Sequence, residues 1–288
     1  FKQKTAYEIS LGLVGSEMCI RDRMKSINGK VTIALVGKYV EYPDSYISVK
    51  EALRHAGLAQ DREIDLQWIH SEDVEREGPD GLLANACGII VPGGFGPRGV
   101  EGMVETVRYA REHHVPYLGL CLGLQVMVIE WARNQLGLAS ANSSELDPDT
   151  PHPVIHIMPD QQSVTTMGGT MRLGSYPCQP LENTLTKAAY GNGIVNERHR
   201  HRFEFNNAYR EALENSGFII GGVSPDGNLV ETGEVSGHPF MIGVQYHPEF
   251  QSRPNRPHPL FSGFVEAARK TIREGTQQPL PLLDNKGT

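Results

Sequence analysis

The segment Gly119-Leu120-Cys121-Leu122-Gly123 constrains the fold most, because it joins two kinds of secondary structure within a few residues. The apolar run Val115-Pro-Tyr-Leu-Gly-Leu predicts a strand before it, and the run from Gly123 to Asn134 predicts a helix directly behind it. A cysteine flanked in this way by glycines is typical of a nucleophile elbow. Such a turn would place the sulfur at a helix N-terminus, where the helix dipole favours a thiolate. The alternative is a buried structural cysteine in a glycine-rich turn.

Strands and helices alternate on both sides of this turn. The pattern predicts an α/β fold with a mostly parallel central sheet flanked by helices, a C-terminal antiparallel extension from residue 218, and chemistry at the carboxyl ends of the strands. Residues 141–196 are richer in Pro, Gly and Thr, which indicates loops and a short β insertion. The other predicted strands are 30–38, 63–70 and 87–94, and the predicted helices are 45–56 (capped by Ser45 and stopped by Gly57), 100–113 and about 260–273.

Composition narrows the class of protein. The 288 residues carry a net charge of −7, which argues against nucleic acid as a partner, and no apolar run approaches membrane-spanning length. The four cysteines are scattered without a CxxC pair, so we expect a reducing, cytoplasmic setting.

The two ends of the chain differ from the rest. Residues 1–23 do not have the long apolar run, ending in small residues, of a signal peptide, and they resemble translated sequencing-adapter sequence. We therefore expect a non-native leader at 1–23, which includes Cys19, a single domain at 24–274, and a polar, disordered tail at 275–288.

The run Tyr246-His247-Pro248-Glu249 follows a predicted strand near the C-terminus. A cysteine nucleophile needs a base, and the base needs an orienting group. His247 could accept the thiol proton while Glu249 holds the imidazole, and Pro248 would stiffen the turn between them. By itself the run would be read as a surface turn, but together with the elbow it predicts a Cys121–His247–Glu249 triad.

The glycine-rich run Val91-Pro-Gly-Gly-Phe-Gly96 also ends a predicted strand. Its glycines would let backbone N–H groups approach a developing oxyanion. A phosphate-binding loop is the rival interpretation, but the GxxxxGK[ST] pattern is missing. A plain glycine-rich turn is the third.

The run Glu197-Arg-His-Arg-His-Arg-Phe203 is the densest basic cluster. It fits a solvated strand or loop, a His199–His201 metal pair, a basic patch, or an arginine that grips a substrate carboxylate. Charge alone leaves these alternatives open.

Three ordered motifs, PGGFG, LGLCLGLQ and YHPEF, resemble the class I glutamine amidotransferases, and longer stretches resemble the CTP synthase family. The discriminating stretches are ALVGKYVEYPDSYISVKEALRHAG and GGTMRLG. ERHRHRFEFNN also resembles this family, and the resemblance runs from about Val31 to Lys270.

The resemblance implies that Cys121 attacks the amide of glutamine, with His247 as base and Glu249 as its orienting group, to give a γ-glutamyl thioester. Gly94 and Leu122 would hold the oxyanion, Glu145 would contact the α-amino group, and Arg202 would be the substrate-binding arginine. Arg98 resembles a residue linked in the family to the effector GTP. The implied glutamine contacts are Gly94, Leu122, Gly123, Leu124, Gln125, Glu145 and Arg202.

The family also carries an N-terminal synthetase domain that uses ATP, Mg²⁺ and UTP, and its full-length members are tetrameric. Nothing in the sequence resembles the nucleotide-binding part of that domain. The resemblance therefore implies a fragment whose partners are L-glutamine, GTP and the absent synthetase domain, with no cofactor and no metal of its own.

Two other functions compete with this one. A different class I glutaminase or a γ-glutamyl hydrolase would share the elbow and the HPE motif, although GGTMRLG and RHRHRF argue against it. A non-catalytic regulatory module is the other, and it would usually have lost a triad residue.

Overall fold

The computed structural model describes residues 27, 29–157 and 171–271. The predicted leader at 1–23, with Cys19, and the predicted tail at 275–288 lie outside the described residues. So do Gly168, Gly169 and Thr170 of the GGTMRLG motif.

A nine-stranded mixed sheet forms the centre of the described region, in the order β2-β1-β3-β4-β12-β11-β10-β7-β8. The first five strands in this order are mutually parallel, and the others pair antiparallel. A smaller sheet has the order β5-β6-β9. The strands are β1 (Lys30–Gly37), β2 (Glu63–His70), β3 (Gly88–Val91), β4 (Tyr117–Leu120), β5 (Ala141–Ser143), β6 (His152–Ile157), β7 (Arg172–Pro180), β8 (Val195–His201), β9 (Phe203–Phe205), β10 (Phe218–Val223), β11 (Val230–Val235) and β12 (Met241–Val244).

Helices cover both faces of the sheet, because its parallel strands carry apolar residues on both sides. In β1, Ala34 and Val36 join one buried cluster, whereas Ile33 and Leu35 join the other. The first cluster includes apolar residues of α4 and α5, and the second includes those of α1 and α8. The helices are α1 (Ile47–Ala59), α2 (Ser71–Glu77), α3 (Pro79–Leu83), α4 (Val100–Glu112), α5 (Leu122–Asn134), α6 (Leu185–Tyr190), α7 (Arg210–Asn215) and α8 (Pro259–Lys270).

The predicted fold class is confirmed, but the antiparallel part is larger than predicted. The region 141–196, predicted as loops with a short β insertion, contributes β7, which pairs with β8 from Arg172 to Cys178 and joins β10 at its end. These strands are rich in polar and small residues, so their hydrophobic period is weak in the sequence.

The first helix also differs from its prediction. A short 3-10 turn occupies Pro43–Tyr46, so Ser45 is not the helix cap, and α1 runs through Gly57 to Ala59. Gly57 does not stop the helix. Glycine is needed there for another reason, because the chain packs tightly against this position. A Cβ at this position would meet the Arg62 carbonyl oxygen at 2.7 Å.

The parallel strands bring the predicted chemical groups, and with them Lys38, to one edge of the sheet. Lys38 follows β1, the glycine-rich run follows β3, and Cys121 follows β4. β12 lies beside β4 and leads to His247. In the described part of the chain no helix is long and apolar enough to cross a membrane.

Candidate active site

Cys121 lies in a strained turn between β4 and α5. Its backbone has φ 53° and ψ −98°, a conformation that is unfavourable for a residue with a side chain. The turn is held by a hydrogen bond from its N–H to the carbonyl of Val244, at 2.7 Å. A Cβ on Gly119 would meet the backbone of Gly123 at 2.6 Å, so the turn can close only with glycine there. The predicted strand–elbow–helix geometry is present.

His247 lies between the cysteine and the glutamate that were predicted as its partners. Its Nδ1 is 2.8 Å from Oε1 of Glu249, and it lines one cavity together with Cys121. The His247 N–H donates to the carbonyl of Arg198 at 2.7 Å, which ties the turn to β8. The structure therefore brings the three predicted triad residues together.

The surroundings of His247 favour its protonated form. Burial favours the neutral imidazole, but the hydrogen bonds and negative charges of Cys121 and Glu249 outweigh it and raise the pKa of His247 to about 10. An imidazole with this pKa can take the thiol proton and keep it until a leaving group needs it.

We call Pro92–Gly96 the oxyanion loop, since it passes beside the sulfur. A Cβ on Gly93 would lie 2.9 Å from Cε1 of His247 and 3.6 Å from Cβ of Cys121. Glycine at this position thus leaves room for the imidazole. Gly94 lies against Leu122, whose Cδ2 would be 3.3 Å from an added Cβ. The two predicted oxyanion residues are therefore neighbours at the start of α5, where the first N–H groups lack helical partners.

Two cavities meet at Cys121. The smaller, of about 220 Å³, is lined by His247, Glu249, Tyr46 and Phe250 among others. The larger, of about 580 Å³, is lined by Gly94, Phe95, Cys121, Gln125, Glu145, Met171, His201, Arg202 and Phe203. Besides the cysteine, the larger cavity is lined by a carboxylate and a guanidinium. These charges are complementary to the ammonium and the carboxylate of an amino acid.

Arg202 and Glu145 meet different partners in this cavity. The Nε of Arg202 is buried and has no hydrogen-bond partner among the described residues. Because buried polar groups are normally paired, this guanidinium is suited to an anionic ligand. Oε1 of Glu145 accepts a hydrogen bond from the N–H of Gly96 at 3.3 Å.

The other predicted glutamine contacts differ in position. Gln125 lines the larger cavity and donates to the Phe203 carbonyl at 3.0 Å. Leu122, Gly123 and Leu124 line neither cavity with a side chain. Leu124 packs in the core, where its Cδ1 would be 2.8 Å from a Cβ on Gly243, so these residues can offer a ligand only backbone groups.

Residues 197–201 of the basic cluster lie in β8, and the alternation of this strand separates the two residue types. Glu197, His199 and His201 are buried, whereas Arg198 and Arg200 are exposed. Nδ1 of His199 is 2.9 Å from Nε2 of His201. Burial and the nearby Arg172 lower the pKa of His199 to about 2 and that of His201 to about 3. Neither histidine replaces His247, and no metal-binding cluster of three or more His, Cys, Asp or Glu occurs within the described ranges.

Two residues of the site were not predicted. Gln245 is 1% exposed, and its Nε2 donates to the Cys121 sulfur at 3.7 Å. Its signal is a polar amide just behind the apolar run of β12. Lys38 is 2% exposed and hydrogen bonds to carbonyls of the oxyanion loop. Its signal is a lysine directly behind an apolar strand.

The burial of Lys38 predicts a pH effect on stability. Burial lowers the pKa of its ammonium to about 8, with Glu145 opposing the shift and Arg98 adding to it. The unfolded state then binds more protons between about pH 8 and about pH 10.5, so this group makes the free energy of unfolding rise with pH in that window. We expect wild type to gain stability relative to Lys38→Met between about pH 7.5 and about pH 10 in urea unfolding. A difference that stays constant with pH would contradict this.

Arg98 lies outside both cavities. Its guanidinium contacts Glu72 at 2.8 Å and the Lys38 carbonyl at 2.9 Å, and it lies over the Tyr39 ring. The side chain is 51% exposed, so it remains accessible to a charged ligand at the rim.

Comparison with known proteins gives consistent matches. The family model for class I glutamine amidotransferases matches residues 41–267. CTP synthase from Dehalococcoides mccartyi strain BAV1 is 58% identical over 261 residues, which is 91% of this chain and 48% of the relative. CTP synthase from Roseiflexus castenholzii is 60% identical over 264 residues, with 91% and 48% covered. The chain thus spans about half the length of these relatives.

Solved structures agree with these matches. The glutaminase domain of Trypanosoma brucei CTPS, solved with bound acivicin, is 38% identical with a TM-score of 0.79, covering 85% of this chain and 96% of that domain. A GMP synthase subunit from Thermoplasma acidophilum is 14% identical with a TM-score of 0.56, covering 84% and 95%, and shows the shared fold alone.

Proposed function

The chain belongs to the class I glutamine amidotransferases, as a glutaminase domain of the CTP synthase type, and we propose that Cys121, His247 and Glu249 hydrolyse L-glutamine to glutamate and ammonia. The observation that carries this assignment is the larger cavity, in which Cys121, Glu145 and Arg202 line one space. An amino acid bound there would place its carboxylate at Arg202, its ammonium at Glu145 and its side-chain amide at the sulfur.

The reaction follows from the order of the groups. His247 accepts the Cys121 thiol proton, and the sulfur attacks the side-chain amide carbon, forming a C–S bond. The oxyanion is met by backbone N–H groups near Gly94 and at Leu122. The C–N bond then breaks, and His247 returns its proton to the departing ammonia. Water attacks the γ-glutamyl thioester with His247 again as base, which releases glutamate and restores the thiol.

The use of the ammonia by a complete enzyme forms part of the same proposal. The relatives that share more than half of the matched residues are CTP synthases, so the ammonia would serve amination of UTP by a synthetase domain that uses ATP and Mg²⁺. The domain itself would need no cofactor or metal, and the complete enzyme would be a cytoplasmic tetramer. The three described cysteines are free thiols, in keeping with a reducing compartment.

We also propose GTP as an effector that contacts Arg98. The guanidinium is half exposed and lies beside Lys38, whose side chain reaches the oxyanion loop. A phosphate bound there would therefore act on the loop through one intervening residue.

Ammonia release tests the assignment of the larger cavity. We expect Arg202→Met to raise KM for glutamine by about tenfold or more, because a buried bidentate partner of a carboxylate contributes about 1.5–3 kcal/mol. Arg198→Met removes an exposed arginine of β8, four residues before Arg202, and should leave KM within about twofold. The assay is run with a synthetase domain and GTP supplied.

Two outcomes would overturn the proposal. One is faster turnover of a γ-glutamyl peptide than of glutamine, which would make the chain a γ-glutamyl hydrolase. The other is an equal change of KM in the Arg202 and Arg198 variants, which would place the carboxylate elsewhere.

A further inference from the structure

The oxyanion loop is fastened from two sides near its end. The Nζ of Lys38 donates to the Phe95 carbonyl at 3.3 Å and to the Gly96 carbonyl. From the other side, Glu145 accepts the N–H of Gly96 at 3.3 Å. The loop is thus held between a cation at the end of β1 and a carboxylate in the larger cavity.

The stem of Lys38 also fixes the loop sideways. A Cβ on Gly94 would lie 3.5 Å from Cδ of Lys38 and 3.3 Å from Cδ2 of Leu122. Gly94 is therefore enclosed between the lysine stem and the first residue of α5. A longer residue at 94 or a shorter one at 38 would alter the spacing between the two predicted oxyanion positions.

The ammonium of Lys38 is buried, and its partners indicate why a charged side chain lies at this position. Lys38 is 2% exposed, and both hydrogen bonds that its Nζ makes within the described residues go to carbonyls of the oxyanion loop. Burying a charge costs free energy unless it is compensated by partners. An apolar side chain could fill the space, but only a donor can turn these two carbonyls towards β1.

Each peptide unit is planar, so the bond to the Phe95 carbonyl also fixes the N–H of Gly96, which is the donor to Glu145. The end of the loop next to Gly94 is thereby anchored. With this end held by Lys38 and the lysine stem beside Gly94, the Gly94 part of the loop stays against Leu122, in the cavities that Cys121 also lines. Catalysis by an oxyanion hole depends on donors that are already in place before charge develops.

We propose that Lys38 is a positioning residue for thioester formation, whose ammonium holds the oxyanion loop so that its N–H groups meet the developing oxyanion. The proposal rests on the proposed glutaminase function. Lys38 contacts neither the sulfur nor the bound amino acid in this arrangement; it acts through the loop.

Two reactions of Cys121 distinguish this role from a general loss of structure or of cysteine reactivity. Hydrolysis of glutamine passes through an oxyanion, whereas alkylation by iodoacetamide forms a C–S bond with loss of iodide and develops no oxyanion at carbon. In Lys38→Met, which keeps the stem but removes the donor, we expect kcat for glutamine to fall about 10- to 100-fold, somewhat less than removal of an oxyanion donor itself. KM and the alkylation rate should stay within about threefold, since neither requires the oxyanion hole.

Lys50→Met is the matched control, because it removes the same charge from the exposed face of α1. It should leave kcat, KM and alkylation unchanged. If Lys38→Met does not fold, as judged by circular dichroism, the same measurements on Lys38→Gln decide, with the same loss of kcat expected from its shorter reach.

The results that would contradict the role of Lys38 differ from those that would contradict the glutaminase function. A parallel loss of alkylation and turnover, a change in KM alone, or an unchanged kcat would each overturn the role of Lys38. A wild-type chain that is alkylated normally but releases no ammonia from glutamine, with the synthetase domain and GTP supplied, would overturn the proposed function instead.

Discussion

Replacing Cys121 with alanine is expected to abolish ammonia release from glutamine, with a loss of more than about a thousandfold, because nucleophile removal from a catalytic triad leaves only binding and the oxyanion hole. The side chain is buried behind the oxyanion loop and the variant removes one sulfur atom, so the fold should persist. Turnover is measured with a synthetase domain and GTP supplied.

Covalent labelling gives an independent measure of the same residue. The proposed function predicts that acivicin, which is bound in the related Trypanosoma brucei domain, adds to wild type and not to Cys121→Ala when intact mass is measured. Cys87→Ala is the control: it removes a buried thiol directly before β3 and should retain both labelling and turnover. Labelling or ammonia release that persists in Cys121→Ala would show that another group is the nucleophile.

The second large effect is expected at Gly123. An added Cβ would overlap the Val91 carbonyl oxygen. The backbone fixes the positions of both atoms, so no side-chain rotation can relieve the clash. Gly123→Ala must therefore push α5 away from β3, which displaces Cys121 and the N–H of Leu122. We expect kcat to fall at least about a hundredfold, as for a lost oxyanion donor, together with a destabilisation of about 1–3 kcal/mol from overpacking.

Gly102→Ala separates the two consequences. Its Cβ would overlap the Ser71 carbonyl oxygen, a clash of the same kind, but between α4 and the start of α2. Urea unfolding should show a comparable destabilisation, while kcat per folded molecule should stay within about threefold of wild type. If Gly102→Ala lost as much kcat as Gly123→Ala, the effect would be global and the elbow would not be special.

The sequence predicted the site best where chemistry and local geometry coincide. Gly119, Cys121 and Gly123 lie in one turn, so their spacing is enough to indicate an elbow. His247 and Glu249 are separated only by Pro248, and the imidazole–carboxylate contact follows from that short turn. Their roles in this chain remain predictions until the variants are measured.

In the basic cluster, the sequence could not predict which side chains are buried. A strand with polar residues on both faces contains no apolar side to indicate which set turns inward. Only the pairing of β8 with β7 at the sheet edge buries His199 and His201 and leaves Arg198 and Arg200 outside. Gly57 is a second case, because a close approach to Arg62, rather than a helix end, requires its missing side chain.

By itself the sequence determined the alternation of strands and helices, the strained turn at Cys121 and the order of the three triad residues, since each depends on neighbours in the chain. The tertiary structure decided which distant groups share the site. β12 pairs with β4, which brings His247 to Cys121, and the cavity joins Glu145 with Arg202. Lys38 and Gln245 enter the site in the same way, because contacts between separate strands depend on sheet order and packing, which no local pattern contains.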